Sequence, residues 1–189
     1  MELLYQFFSW AIYYFFHSFF ADKNIKKRLQ SILFKTKQQY RLFYTMVALL
    51  TLIGPIITSL HFGLNPLYVT QTWSTIIGVV LVILGLLVLY FSFQHFSPSA
   101  FIGLQNEKKE LVLHTNGLHR YVRHPLYSGT ILLLAGLFFI KPIEAVFVFN
   151  VSTWLYLPLG IRLEEHKLLK EFPGYKNYKK KVPALVPFF

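Results

Sequence analysis

Apolar positions in this chain gather into long blocks, with polar residues confined to the stretches between them. The blocks cover 3–20, 42–60, 74–93, 124–140 and 143–161. Each approaches the length an α-helix needs to cross roughly 30 Å of hydrocarbon. Only Lys141-Pro142 separates the last two, so these spans must run out and back as a tight antiparallel hairpin. The start of the fourth span and the end of the fifth then lie side by side at one membrane face. The pattern predicts an all-α polytopic bundle: one membrane domain over 1–189, with five transmembrane helices and a C-terminal interfacial amphipathic segment. Gly54-Pro55 predicts a kink in the second span, because Pro removes a backbone bond and crowds the preceding turn. Gly78 and Gly85 share a face of the third span, where small residues let helices approach closely.

Composition supports this reading. The chain is 54% apolar, with 20 Phe and 12 Tyr, rings that suit lipid and headgroup depth. The net charge of +11 would suit nucleic acid, but its placement does not. Every Lys and Arg except Lys141 falls in 21–41, 94–125 or the tail after 161. Five spans bring those three segments to one side, which the positive-inside rule makes cytoplasmic, with the N-terminus outside and the C-terminus inside. The first block lacks a basic leader, since Glu2 precedes it, and is read as a retained span. With no cysteine, disulfides, thiolate metal sites and a Cys nucleophile are excluded.

Candidate chemistry sits where polar groups meet the lipid edge, positions costly to keep there. Arg123-His124-Pro125-Leu126-Tyr127-Ser128-Gly129 opens the fourth span, and Arg162-Leu163-Glu164-Glu165 closes the fifth. The hairpin therefore brings His124 and Tyr127 near Glu164 and Glu165. Pro125 suits the first turn of a helix, whose N–H groups attract an anion such as a carboxylate. Gly129 leaves room for a ligand or another backbone. Neighbouring carboxylates project about 100° apart on a helix, so the two cannot serve one ligand equally; one suits a cation such as Arg162 or Arg123, the other a cationic ligand. The bland alternative is a charge network clamping a helix end. His17 and His95 read as polar residues of a bundle, and His114, His119 and His166 lack the spacing of a metal site. The tail alternates Phe172, Tyr175 and Tyr178 with Lys170, Lys176, Lys179, Lys180 and Lys181, a stripe suited to anionic lipid rather than RNA.

These residues resemble a known family, the integral-membrane isoprenylcysteine carboxyl methyltransferases with related phospholipid and thiol methyltransferases. The resemblance covers about 117–187: Gly117, then Val122 to Gly129, Arg162, Glu164-Glu165, Phe172-Pro173-Gly174-Tyr175, Tyr178 and Val182-Pro183. His17-Ser18 and Tyr40 to Tyr44 look like bacterial relatives that include methanethiol methyltransferases. The resemblance implies S-adenosylmethionine as methyl donor, bound at the cytoplasmic face, in a bacterial inner membrane. It implies that His124, Pro125, Leu126, Tyr127, Gly129, Glu165, Tyr175 and Tyr178 line the cofactor pocket. Arg123, Arg162, Glu164 and Glu165 would organise the reacting site, one Glu meeting the donor's amino group. The acceptor would be a prenylcysteine carboxylate, a small thiol or a phospholipid amine; membrane lipid is the expected partner, and neither metal nor nucleic acid is. Two other classes remain open: an NADPH-dependent sterol-type membrane reductase and a non-catalytic membrane accessory protein.

Overall fold

The computed structural model describes residues 1–94, 99, 102, 104 and 113–187. His95, Lys108 and Lys109 lie outside the described residues. The helices are α1 (Glu2–Ala21), α2 (Lys23–Leu33), α3 (Lys37–Phe62), α4 (Thr72–Phe93), α5 (Pro125–Ile140), α6 (Glu144–Glu171) and α7 (Tyr175–Lys181). A short 3-10 turn, Gly117–Arg120, precedes α5. Among the described residues there is no strand beyond one isolated bridge between Pro66 and Ile143. The all-α membrane architecture expected from the hydrophobic pattern is present: α3, α4 and α6 are long and apolar enough to cross a bilayer, and α5 is apolar but shorter. α1 is 20 residues long and carries Gln6, Ser9, His17 and Ser18 among its apolar side chains.

The chain forms two compact units, and α6 contributes to both. The first comprises Met1–Val69, Ser97–Glu107 and Lys141–Tyr156. Its helices are tied by aromatic rings and hydroxyls. Trp10 stacks on Phe149 with centroids 4.2 Å apart, and Tyr14 on Tyr156 at 4.4 Å. Tyr14 Oη pairs with Thr153 Oγ1 at 2.6 Å, Ser18 with the Tyr156 hydroxyl at 2.9 Å, and Ser9 with Thr58 at 2.9 Å. His17, read from sequence as a polar bundle residue, meets the Tyr44 hydroxyl at 2.8 Å. Polar side chains buried this way gain from one another because lipid offers no competing partner. The basic stretch between the first two spans contains a helix of its own. Asp22 caps α2 through Asn24 and Ile25, and a Thr36–Gln39 capping box starts α3. α3 continues as one helix through Pro55.

The second unit comprises Thr70–Phe96, Lys108–Ile140 and Leu157–Phe189. Here α4 and α5 pack antiparallel with their backbones almost in contact. A Cβ on Gly136 would lie 2.6 Å from the Gly78 carbonyl, and one on Gly85 would lie 2.9 Å from that of Gly129. Gly78 and Gly85 do serve close approach, and the matching pair on α5, Gly129 and Gly136, has the same spacing of seven. This seam fixes α5, and with it the residues at its start.

Candidate functional site

The polar residues at the start of α5, on the last turns of α6 and on α7 all belong to the second unit. Gly117, at φ 61°, adopts the left-handed conformation that glycine favours and opens the 3-10 turn. His119 in that turn lies with Nδ1 3.2 Å from the Arg123 carbonyl, and the Tyr178 hydroxyl donates to the His119 carbonyl at 2.6 Å. Pro125 begins α5, where its missing N–H costs nothing. The segment after α7 then crosses this helix start and is fastened by its own carbonyls. Arg123 N–H donates to Pro183 O at 2.8 Å, His124 N–H to Ala184 O at 3.0 Å, and Ser128 Oγ to Leu185 O at 2.6 Å. The Arg123 guanidinium adds bonds to the carbonyls of Lys179 and Val182.

Behind this strap lies Glu165, its side chain only 6% exposed. One carboxylate oxygen accepts from Arg123 Nε at 2.8 Å and from the Tyr175 hydroxyl at 3.3 Å, and stands 3.2 Å from His124 Nε2. The other oxygen pairs with Lys179 Nζ. Three groups thus converge on one oxygen of Glu165 while Lys179 holds the other. Glu164, turned away as helical geometry requires, has a side chain 45% exposed. It lies 3.4 Å from His124 Nδ1 and takes a hydrogen bond from Tyr127. The imidazole thus stands between the two acids, its ring stacked on Tyr127 with centroids 5.5 Å apart.

His124 and Tyr127, from the start of α5, thus meet Glu164 and Glu165, from the last turns of α6, as the hairpin of the last two spans requires. Tyr175 is 1% exposed, and its phenol joins the cluster from beneath. Burial, with the Glu165 carboxylate alongside, pushes the Tyr175 phenol above its ordinary value; burial likewise raises Tyr178. Leu126 is half-buried and Pro125 buried at the helix start. Gly129 is spent on helix packing, since a Cβ there would meet Leu89 Cγ at 3.0 Å and the Gly85 carbonyl at 3.1 Å. Arg162 is exposed and joins neither acid; helical phase turns it away from Glu164, whereas at i,i+3 it shares a face with Glu165, whose guanidinium partner is Arg123 instead. Sequence reasoning left Lys179 among undifferentiated tail lysines and read His119 only as a rejected metal ligand. The signal for Lys179 is its place one turn after Tyr175 on a short helix, which puts both on the face toward Glu165.

The chain belongs to the family described as protein of unknown function (DUF1295), whose model matches residues 11–182. It is 38% identical over 87 residues to a methanethiol S-methyltransferase of Crocosphaera subtropica, covering 44% of this chain and 32% of that protein. It is 30% identical over 128 residues to a protein-S-isoprenylcysteine O-methyltransferase of Xenopus laevis, covering 62% and 42%. A protein-S-isoprenylcysteine O-methyltransferase B of Arabidopsis thaliana is 38% identical over 78 residues, 39% of each chain. The chain thus spans well under half the length of these relatives. No solved structure matches it.

Proposed function

We propose that this DUF1295 member is a membrane methyltransferase that uses S-adenosylmethionine and methylates a lipophilic or small acceptor. The observation that carries the reading is the His124–Tyr127–Glu164–Glu165 cluster, assembled from the two motifs by which the chain resembles membrane methyltransferases. The relatives' names add support, since they describe methyl transfer to an isoprenylcysteine and to methanethiol.

The donor set fits the cofactor. The half-exposed Glu164 suits an ammonium group, and the aromatic faces of His124 and Tyr127 suit a sulfonium. When bound, S-adenosylmethionine supplies an electrophilic methyl group on that sulfonium. The protein's part is orientation: His124 is held between two carboxylates, Tyr127 packs on it, and the strap over 182–185 fixes the α5 start that carries both. Methyl displacement needs alignment more than covalent help, and holding reactants in line accounts for much of such rate enhancements. A carboxylate acceptor needs no proton removed, whereas a thiol or amine does. The acceptor is a prenylcysteine-type carboxylate, a small thiol or a phospholipid amine. On this reading the basic segments, the cluster and the C-terminus face the cytoplasm and the N-terminus lies outside, the membrane being a bacterial inner one; the positive-inside rule supports the orientation.

Calorimetry on detergent-purified protein with S-adenosylmethionine, S-adenosylhomocysteine and NADPH tests the reading. Binding of the first two and not the third is expected. A folded preparation with no affinity for either overturns it, and NADPH binding instead points to a reductase. A labelled-methyl assay on prenylcysteine, small thiols and total lipid then identifies the acceptor.

A further inference from the structure

The two adjacent acids have different surroundings, and the difference assigns them different work. Glu165, its side chain only 6% exposed, already meets Arg123, His124, Lys179 and Tyr175. Burial and these four partners leave a ligand cation little access to it. Two of the four, Lys179 and Tyr175, come from α7, and a third, Arg123, also binds the carbonyls of Lys179 and Val182. Glu165 therefore sits at the point where the C-terminal segment is pinned to the start of α5. Glu164 meets His124, Tyr127 and the charge of Lys167, none of them from the C-terminal segment, and 45% of its side chain is exposed.

We infer that Glu165 and Lys179 are positioning residues that dock the C-terminal segment across the α5 start, and that Glu164 alone of the pair receives the ligand's ammonium group. The inference rests on the donor-binding reading above, but its docking half is measurable without any ligand. The backbone amides of Arg123 and His124 bond directly to Pro183 and Ala184. Their hydrogen exchange therefore reports whether the segment is seated. Lys179, with a side chain 43% exposed, can be altered at smaller structural cost than Glu165 or Arg123.

The experiment uses the full chain in detergent, with exchange at Arg123 and His124 and calorimetry with S-adenosylhomocysteine on each variant. Glu164→Gln is expected to weaken binding roughly ten- to a hundred-fold, the loss of one charge-assisted bond, with both amides as protected as in the parent. Lys179→Met is expected to speed exchange at both amides and to weaken binding by about tenfold, raising the donor's KM while kcat changes little. Lys179→Arg should restore both, because a guanidinium can hold the same carboxylate. Glu165→Gln should release the segment. The inference fails if Glu164→Gln binds as the parent does, or if Lys179→Met leaves both amides protected. It fails equally if Glu165→Gln abolishes binding with both amides still protected. Should Glu165→Gln not fold, the Lys179 pair and Glu164→Gln decide. If the parent itself binds no S-adenosylhomocysteine, the donor reading falls, whereas the amide results still judge the docking of the segment.

Discussion

The first unit and the second hold their helices together by opposite means. In the first, side chains fill the space: Trp10 lies flat on Phe149, Tyr14 on Tyr156, and hydroxyls on Ser9, Tyr14 and Ser18 find partners across the helix contacts. In the second, side chains are absent where it matters, and four glycines let the backbones of α4 and α5 touch. The first arrangement is distributed, so each contact is individually dispensable. The second is concentrated, and it positions the charged cluster with no slack. Function on this reading resides in the unit with least tolerance for change.

Substitutions should expose this contrast between the units in a graded way. Gly136→Val puts a Cβ 2.6 Å from a carbonyl that cannot move aside, and should cost upward of about 3 kcal/mol, read by denaturant titration in detergent. Arg123→Ala leaves the buried Glu165 short of its guanidinium and should cost roughly 3–5 kcal/mol by the same measurement. Tyr175→Phe removes one hydroxyl from the cluster and should cost about 1 kcal/mol. It should also remove an alkaline step. The folded phenol is raised from 10.0, so its contribution is complete below about pH 10 and declines as pH climbs through the folded value. Stability followed against pH in parent and variant checks the sign. Tyr14→Phe, in the first unit, should cost only about 0.6 kcal/mol, the average for a polar pair within lipid. Gly54→Ala sharpens the contrast further: nothing lies within 4 Å of the added methyl, so the variant should be as stable as the parent or gain up to about 1 kcal/mol.

Much of this was legible from hydrophobic spacing, because block length dictates spanning helices and the two-residue link dictates that 124 and 164 meet. The twin acids were legible too, as a pair that must diverge by a helical step. Which acid turns inward was not, because that depends on the phase of α6, and no charge on α6 itself sets it. Gly129 was legible as a point of close approach to a ligand or a backbone; Gly136, seven residues on, was the clue that the backbone of α4 comes close there. Arg162 lies one turn before Glu165 on the same face of α6, but the guanidinium that meets Glu165 is Arg123, brought from the start of α5. The α2 helix was hidden by its charges, although Asp22 and the Thr36–Gln39 box mark its limits and the start of the next helix.

The carbonyl strap over residues 182–185 has a consequence for how the molecule is made. Arg123 leaves the ribosome first and Glu165 about forty residues later, but the groups that fasten them arrive only with the last dozen or so residues described here. Until then the nascent chain carries a carboxylate short of two donors and a helix start with nothing across it. Any product released early, even with every membrane crossing in place, would be threaded through the bilayer yet lack the assembled Glu165 cluster.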